Sequence, residues 1–160
     1  MDAPLDDYQV TACSPKELSD GDLETCMAIV EDGGAVNRNA MRRDLRCSSL
    51  LAIVRAGGQI VGVGAIKPVR IQYAAKVARE SGVEFPRDTL ELGYVAVRQN
   101  HQHSGLSRRI ATTLVSGYTS HLFATTDEEW MKRTLSRTGF SKKGQEWTGQ
   151  RGMLSFWERT

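Results

Sequence analysis

One stretch of the sequence, residues 91–110, combines residue types that can do chemistry. An apolar segment ending at Val97 is followed by a polar loop, and Gly105 then opens a run with helical periodicity. The start of a helix carries unpaired backbone N–H groups and the positive end of the helix dipole, which together favour a bound anion. Gly105 and the small Ser107 would let that anion approach the backbone closely. The pattern predicts an anion site at this helix start.

Two arginines in the first turn of that helix favour the same interpretation. Arg108 and Arg109 lie where the helix dipole by itself disfavours cations, so a nearby phosphate would explain them. The alternative is that both are solvated surface residues. Other phosphate-binding loops fit less well, because the sequence has no G-x-x-x-x-G-K-[ST] pattern and no G-x-G-x-x-G after a first strand.

The histidines and cysteines do not form a recognisable metal or nucleophile site. His101 and His103 make an H-x-H pair without a third ligand at suitable spacing, so we expect no metal. The three cysteines, Cys13, Cys26 and Cys47, are widely spaced, and an odd number argues against a closed disulfide framework. A reducing compartment is the natural interpretation.

The elements that must position these residues alternate between strands and helices. A capping box of Ser14, Pro15 and Glu17 is predicted to begin the first helix, and Asp127 is predicted to cap the last one. Further helices are predicted at 40–46 and after Gly105. Strands are predicted at 8–13, 50–54, 60–66, 90–97 and 121–126, with one or two more in 140–157. This order predicts an α+β fold with a mixed sheet.

Size and charge set further limits. The chain has 160 residues and a formal net charge of only +2, which favours a single domain, 1–160, and gives no case for nucleic-acid or membrane-surface binding. No apolar run approaches the ~20 residues that span a bilayer. Because the N-terminal segment is acidic and lacks an apolar run, we expect no signal peptide and a cytoplasmic location.

The stretch that follows Val97 resembles the coenzyme A loop of the GNAT superfamily of N-acetyltransferases. The family's signature is a strand ending in valine or isoleucine, then [Q/R]-x-x-G-x-[G/A] opening a helix; residues 102–107 read Gln-His-Ser-Gly-Leu-Ser. The order of elements also matches over essentially the whole chain. The resemblance implies a mostly antiparallel sheet of six to seven strands flanked by about four helices. It also implies acetyl-CoA as cosubstrate and no metal.

The resemblance further implies which residues hold the cosubstrate. The backbone of the strand end would pair with the pantetheine arm, through Val95, Ala96 and Val97. Amides of the loop and helix start would bind the pyrophosphate, and the residues concerned are Gln102, His103, Ser104, Gly105, Leu106, Ser107 and Arg108. There are two departures from the family pattern: a serine stands at 107, and a histidine stands at 103 where glycine is common.

The implied reaction is direct transfer of the acetyl group to a primary amine of a small molecule or a protein. The attacking amine must be neutral, yet a lysine-type amine has a pKa of about 10.4, so a base would help. Glu91 matches the glutamate that histone-type members use, and its leucine neighbours could desolvate it; the alternative is a solvent-facing glutamate at the start of a strand. Tyr94 could protonate the leaving thiolate or merely pack in the core. The family's usual acid is a tyrosine, and Leu135 stands at its position.

The segment 70–88 is predicted mainly as an insertion, with a short helix as the alternative, and it would lie beside the acceptor end of a GNAT-like sheet. We therefore expect it to shape the acceptor pocket. Its candidate contacts are Arg70, Tyr73, Lys76, Arg79 and Arg87. The aromatic tail residues Trp147, Phe156 and Trp157 are predicted to be core, with a homodimer edge as the alternative.

Two other functions stay open at this point. A CoA-binding sensor or interaction module without catalysis is motivated by Leu135 and by the altered loop. An enzyme acting on charged tRNA is disfavoured, because binding to a phosphate backbone usually requires a basic face and the net charge is small.

Overall fold

The computed structural model describes residues 7–34 and 37–160. It contains seven strands and five α-helices within those residues, besides two short 3₁₀ turns at Pro15–Glu17 and Gln99–His101. The strands are β1 Tyr8–Cys13, β2 Leu50–Ala56, β3 Gln59–Lys67, β4 Leu90–Val97, β5 Leu122–Thr126, β6 Ser141–Thr148 and β7 Met153–Arg159. The helices are α1 Asp20–Asp32, α2 Arg38–Arg46, α3 Ile71–Ser81, α4 Leu106–Gly117 and α5 Glu129–Arg137.

All seven strands form one sheet in the order β1-β2-β3-β4-β5-β7-β6. Every neighbouring pair is antiparallel except β4 and β5, which are parallel and are joined through α4. The predicted mixed, mostly antiparallel α+β sheet is confirmed. The predicted core positions are also confirmed for Trp147, Phe156 and Trp157, which are all buried.

The first helix begins later than its capping box predicts. The box at Ser14 and Glu17 is present, but it closes only a 3₁₀ turn, because Leu18 is extended. Helix α1 begins at Asp20, and the hydroxyl of its N-cap residue, Ser19, accepts a hydrogen bond from the Asp22 amide. This second cap satisfies a helix-start N–H group that the first one cannot reach. Similarly, Glu128 and not Asp127 precedes α5.

Helix α3 lies in the segment that the sequence analysis interpreted mainly as an insertion able to hold a short helix, and it raises the number of α-helices from about four to five. Ala74, Val77 and Ala78 follow helical spacing and are buried against a cluster that includes Phe123 and Phe156. The charged residues between them lie on the opposite or lateral faces, which is why the segment looked like an insertion. The docking of α3 determines which of its polar side chains reach the sheet.

Gly64 allows α4 to lie directly on β3. A Cβ atom built on Gly64 would lie 2.4 Å from Cγ2 of Ile110 and 3.2 Å from a methyl carbon of Leu114. Both leucine and isoleucine are fully buried, so they cannot move aside freely. The absence of a side chain at Gly64 is therefore a packing requirement.

We expect Gly64→Ala to lower the free energy of unfolding by about 2 kcal/mol through overpacking. For a domain of this size, the midpoint of thermal unfolding should fall by roughly 4–8 °C. Gly21→Ala is the matched control, because its added Cβ meets only one atom, at 4.0 Å, inside α1. That control should be neutral or stabilising, since alanine favours helix. Equal thermal shifts in the two variants would contradict the packing role of Gly64.

Candidate functional site

The sheet opens between β4 and β5. These strands pair only at Leu90 with Leu122 and at Glu91 with Phe123, and β4 then continues to Val97 without a partner on that side. The space between them widens into a cleft of about 650 Å³. Its walls come from both strands, from α2, α3 and α5, from the end of α1 and from the β6–β7 turn.

A β-bulge shapes the β4 wall of the cleft. Val63 pairs with Ala96 and Ala65 with Gly93, so Tyr94 and Val95 together face the single residue Gly64. Tyr94 has a φ of +53°, a left-handed conformation that is rare for an aromatic residue. Such bulges bend a strand and redirect its side chains. Here the bulge brings Tyr94, Val95 and Ala96 to the cleft.

Glu91 is buried at the point where β4 and β5 separate. One carboxylate oxygen lies 2.5 Å from Nζ of Lys67, and the other accepts a hydrogen bond of 3.3 Å from the Tyr73 hydroxyl. The Tyr73 hydroxyl also lies 3.2 Å from the Thr125 hydroxyl, so it links both strands at the opening. Burial raises the pKa of Tyr73 above its ordinary value, which keeps the phenol protonated.

Tyr94 is held away from the separation point by a second set of contacts. Its hydroxyl donates a hydrogen bond of 2.8 Å to Asp44 on α2, and the Lys67 ammonium lies 5.1 Å from its ring centroid. Burial, followed by the hydrogen bond to Asp44, raises the pKa of Tyr94. Tyr94 therefore packs and anchors α2, and its hydroxyl hydrogen is engaged in the hydrogen bond to Asp44.

The predicted anion loop lies beyond the end of β4 and does not line the cleft. The Gln102 side chain donates a hydrogen bond of 3.0 Å to the Val97 carbonyl and so fastens the loop to the strand. His103 and Gly105 adopt left-handed φ angles of +65° and +75°. The Ser104 hydroxyl donates to the His101 carbonyl. These contacts turn the chain into α4.

The start of α4 is open to a ligand. Its N-cap, Gly105, supplies no side-chain hydrogen bond, and a Cβ atom built there would meet nothing within 4 Å. The first-turn amides of Leu106, Ser107 and Arg108 cannot bond within the helix and must find partners elsewhere. Arg108 is exposed. Arg109 differs, because its guanidinium donates to the Tyr8 carbonyl at 3.3 Å, and this contact accounts for it without a phosphate.

Of the five acceptor contacts predicted in segment 70–88, three line the cleft: Arg70, Tyr73 and Lys76. Arg79 and Arg87 do not. Arg87 instead donates to the Phe85 carbonyl and pairs with Glu84. The sequence analysis also missed Lys67, although a lysine that ends an otherwise apolar strand is a recognisable signal.

Leu135 is a core residue and does not reach the cleft. It is completely buried in the cluster formed with α4, whereas Trp130 and Met131 are the α5 residues that line the cleft. We expect Leu135→Tyr to lower the free energy of unfolding by about 2 kcal/mol, because it overpacks the core and buries a hydroxyl.

The volume-conserving Leu135→Met is the control and should cost less than about 1.5 kcal/mol. Urea unfolding of the two variants measures the difference. A Leu135→Tyr protein with unchanged stability would show that this position opens towards the cleft.

Within residues 7–34 and 37–160, no three His, Cys, Asp or Glu side chains are grouped as a metal site. Over the same residues, no helix is long and apolar enough to cross a bilayer.

The architecture is that of the GNAT acetyltransferases, as the sequence resemblance predicted. A GNAT-family acetyltransferase from Streptococcus agalactiae superposes with a TM-score of 0.68 at 13% identity, covering 95% of this chain and 94% of that one. A ribosomal-protein-alanine N-acetyltransferase from Brucella melitensis gives 0.66 at 18% identity, covering 94% and 98%. RimL, a ribosomal L7/L12 α-N-protein acetyltransferase solved with coenzyme A, gives 0.58 at 9% identity, covering 95% and 93%. No protein-family model matches the sequence, and no curated protein matches it.

Proposed function

We propose that this protein is an N-acyltransferase that moves the acetyl group of acetyl-CoA to a primary amine. The observation that carries the proposal is the early end of the β4–β5 pairing at Glu91, which opens a cleft inside the sheet beside a bulged strand. The uncapped start of α4 follows at the end of that same strand. The GNAT architecture of the chain is consistent with this assignment.

The residues present fit acetyl-CoA. The amides and side chains of residues 102–108 would hold the pyrophosphate, since a helix start with open space at Gly105 suits a phosphate group. The unpartnered edge of β4 at Val95, Ala96 and Val97 offers backbone groups to the pantetheine amides. When bound, acetyl-CoA supplies an acyl group activated as a thioester.

The cleft residues supply the proton chemistry. Direct transfer forms a C–N bond and breaks the C–S bond, so the amine must lose a proton and the thiolate must gain one. Glu91 is the candidate base, but both of its oxygens already have partners. The 3.3 Å hydrogen bond from Tyr73 is the longer and weaker contact. Glu91 would therefore act by exchanging that bond for one to the acceptor amine or to a water.

Lys67 serves as the positioning residue for Glu91. Its ammonium is held between the carboxylate and the Tyr94 ring, so the carboxylate stays at the separation point of the strands. Tyr73 is the phenol nearest to the candidate base, and its hydroxyl also contacts Thr125 on the opposite strand. The leaving thiolate would receive the proton that Glu91 removes from the amine, directly or through a water. Tyr94 contributes by anchoring α2 through Asp44.

Calorimetric titration with acetyl-CoA, followed by a thiol-release assay with a panel of amines, tests the proposal. Binding together with release of free CoA thiol in the presence of an amine would support it. Binding without release on any amine would favour the alternative, a CoA-binding module without catalysis. A folded protein that does not bind acetyl-CoA would overturn the acetyltransferase assignment.

A further inference from the structure

Helix α3 directs a row of polar side chains into the cleft. Tyr73 and Lys76 lie about one turn apart on α3, and Arg70 is the N-cap residue about one turn before Tyr73. All three line the cleft. The Tyr73 hydroxyl, in the middle of the row, contacts Glu91 and Thr125, so the two cations flank the candidate catalytic carboxylate along the helix.

The acidic residues that line the cleft are largely engaged with other partners. Asp44 accepts the Tyr94 hydroxyl, Glu91 pairs with Lys67, and Asp127 lies 3.6 Å from Arg151. The remaining acid, Glu128, lies on the opposite wall at the start of α5. In the part of the chain that the structure describes, neither Arg70 nor Lys76 has an acidic partner within 4 Å.

The position of Arg70 adds a second argument. It is the N-cap of α3, and no side chain caps this helix start. The helix dipole disfavours a cation at this end. An anion placed between the guanidinium and the first-turn amides would be stabilised by the guanidinium charge and by the helix start. The α3 wall of the cleft thus carries two cations and an uncapped helix start, each of which favours an anion.

We propose that the acceptor amine also carries a carboxylate, which Arg70 and Lys76 bind while its amino group is directed to Glu91. This inference rests on the proposed acetyltransferase function. A guanidinium binds a carboxylate through two parallel hydrogen bonds, and an ammonium adds a point charge. The carboxylate can belong to a free amino acid or to the acidic first residue of a peptide.

The test compares matched amines under saturating acetyl-CoA. β-Alanine, propylamine and 1,3-diaminopropane share a three-carbon chain that ends in a carboxylate, a methyl group or an ammonium. Glutamate is compared with its diamide in the same way. We expect kcat/KM to be about tenfold or more higher for the carboxylates, as one charge-assisted contact would give. A tripeptide amide beginning with aspartate, compared with one beginning with alanine, distinguishes the two sources.

Variants on α3 assign the effect to its residues. Arg70→Gln and Lys76→Gln should each lower kcat/KM for the preferred carboxylate about tenfold, mainly through KM, and leave that for propylamine unchanged. Arg79→Gln is the matched control, because Arg79 lies on the same helix but outside the cleft. The affinity for acetyl-CoA should be the same in all three.

The failures of the two proposals are distinguishable. Equal or faster turnover of propylamine or the diamine would overturn the carboxylate inference and leave the acetyltransferase function in place. Loss of activity towards all amines alike in Arg70→Gln would also overturn it, because the arginine would then support the structure of the cleft instead of binding the carboxylate. A protein that binds acetyl-CoA but acetylates no amine would overturn both.

Discussion

Removing either charge of the Lys67–Glu91 pair is expected to lower the free energy of unfolding by about 3–5 kcal/mol. Both side chains are more than 90% buried and their charged atoms lie 2.5 Å apart. Glu91→Gln would leave the buried Lys67 ammonium beside a neutral amide and the Tyr94 ring, and Lys67→Met would leave the buried Glu91 carboxylate with the hydrogen bond from Tyr73. In each case the remaining ion loses its counter-charge without regaining water.

A double-mutant cycle measured by urea unfolding separates the pair from its surroundings. The double variant Lys67→Met/Glu91→Gln should be more stable than the sum of the two single effects predicts, by about 2 kcal/mol or more, because it contains no unpaired ion. Arg38→Gln is the control, since Arg38 and Glu31 form an exposed pair. That change should cost less than about 1 kcal/mol.

Two results would contradict this account of the pair. Single variants that each lose less than about 1 kcal/mol would show that water reaches the charges through the cleft. Strict additivity in the double variant would show that the two residues stabilise the protein independently. Either result would also remove Lys67 as the group that positions Glu91.

Gly105→Asp is expected to weaken acetyl-CoA binding by about 100-fold or more. The substitution places a carboxylate at the uncapped start of α4, where the pyrophosphate is proposed to bind, and like charges in contact cost several kcal/mol. Aspartate tolerates the left-handed conformation of Gly105 better than most residues do, and the space around its Cβ is open. The fold should therefore survive, as circular dichroism would show.

Gly105→Asn is the matched control for this change. Asparagine has nearly the same shape and the same tolerance of positive φ, but it carries no charge. We expect calorimetric titration to show at most a tenfold loss of affinity in this variant. Equal affinities for the aspartate and asparagine variants would place the pyrophosphate away from Gly105. A normal affinity in both would remove the loop from the proposed cosubstrate site.

Local signals predicted several elements accurately. The predicted bounds of β1 and β4 agree with the structure, because each strand's apolar character and its flanking turn residues lie within the segment itself. The end of α5 also follows from a local signal. Gly139 has a φ of +94°, and the Phe140 amide donates a hydrogen bond to the Leu135 carbonyl. A glycine just beyond a helix adopts this left-handed conformation readily and so ends the helix.

Local signals were less reliable where the sequence was compatible with more than one local structure. Ser14 and Ser19 can both cap a helix, and only the packing of α1 on β3 and β4 selects the later start. In segment 70–88, charge obscured a helix whose buried residues are small. Local signals also did not indicate the two partners of Glu91, Lys67 and Tyr73, which lie far from it in the chain.

The sequence by itself determined the order of the strands and of the helices other than α3, the loop that opens α4 and the identity of Glu91 as the candidate base. Only the tertiary structure decided that Lys67 and Tyr73 hold this glutamate, that Arg70 and Lys76 reach the cleft, and that Leu135 does not. The physical reason is that backbone conformation depends mainly on residues within a few positions of each other. Side-chain partners depend on sheet order, on the early end of the β4–β5 pairing and on helix docking, which join residues far apart in the chain.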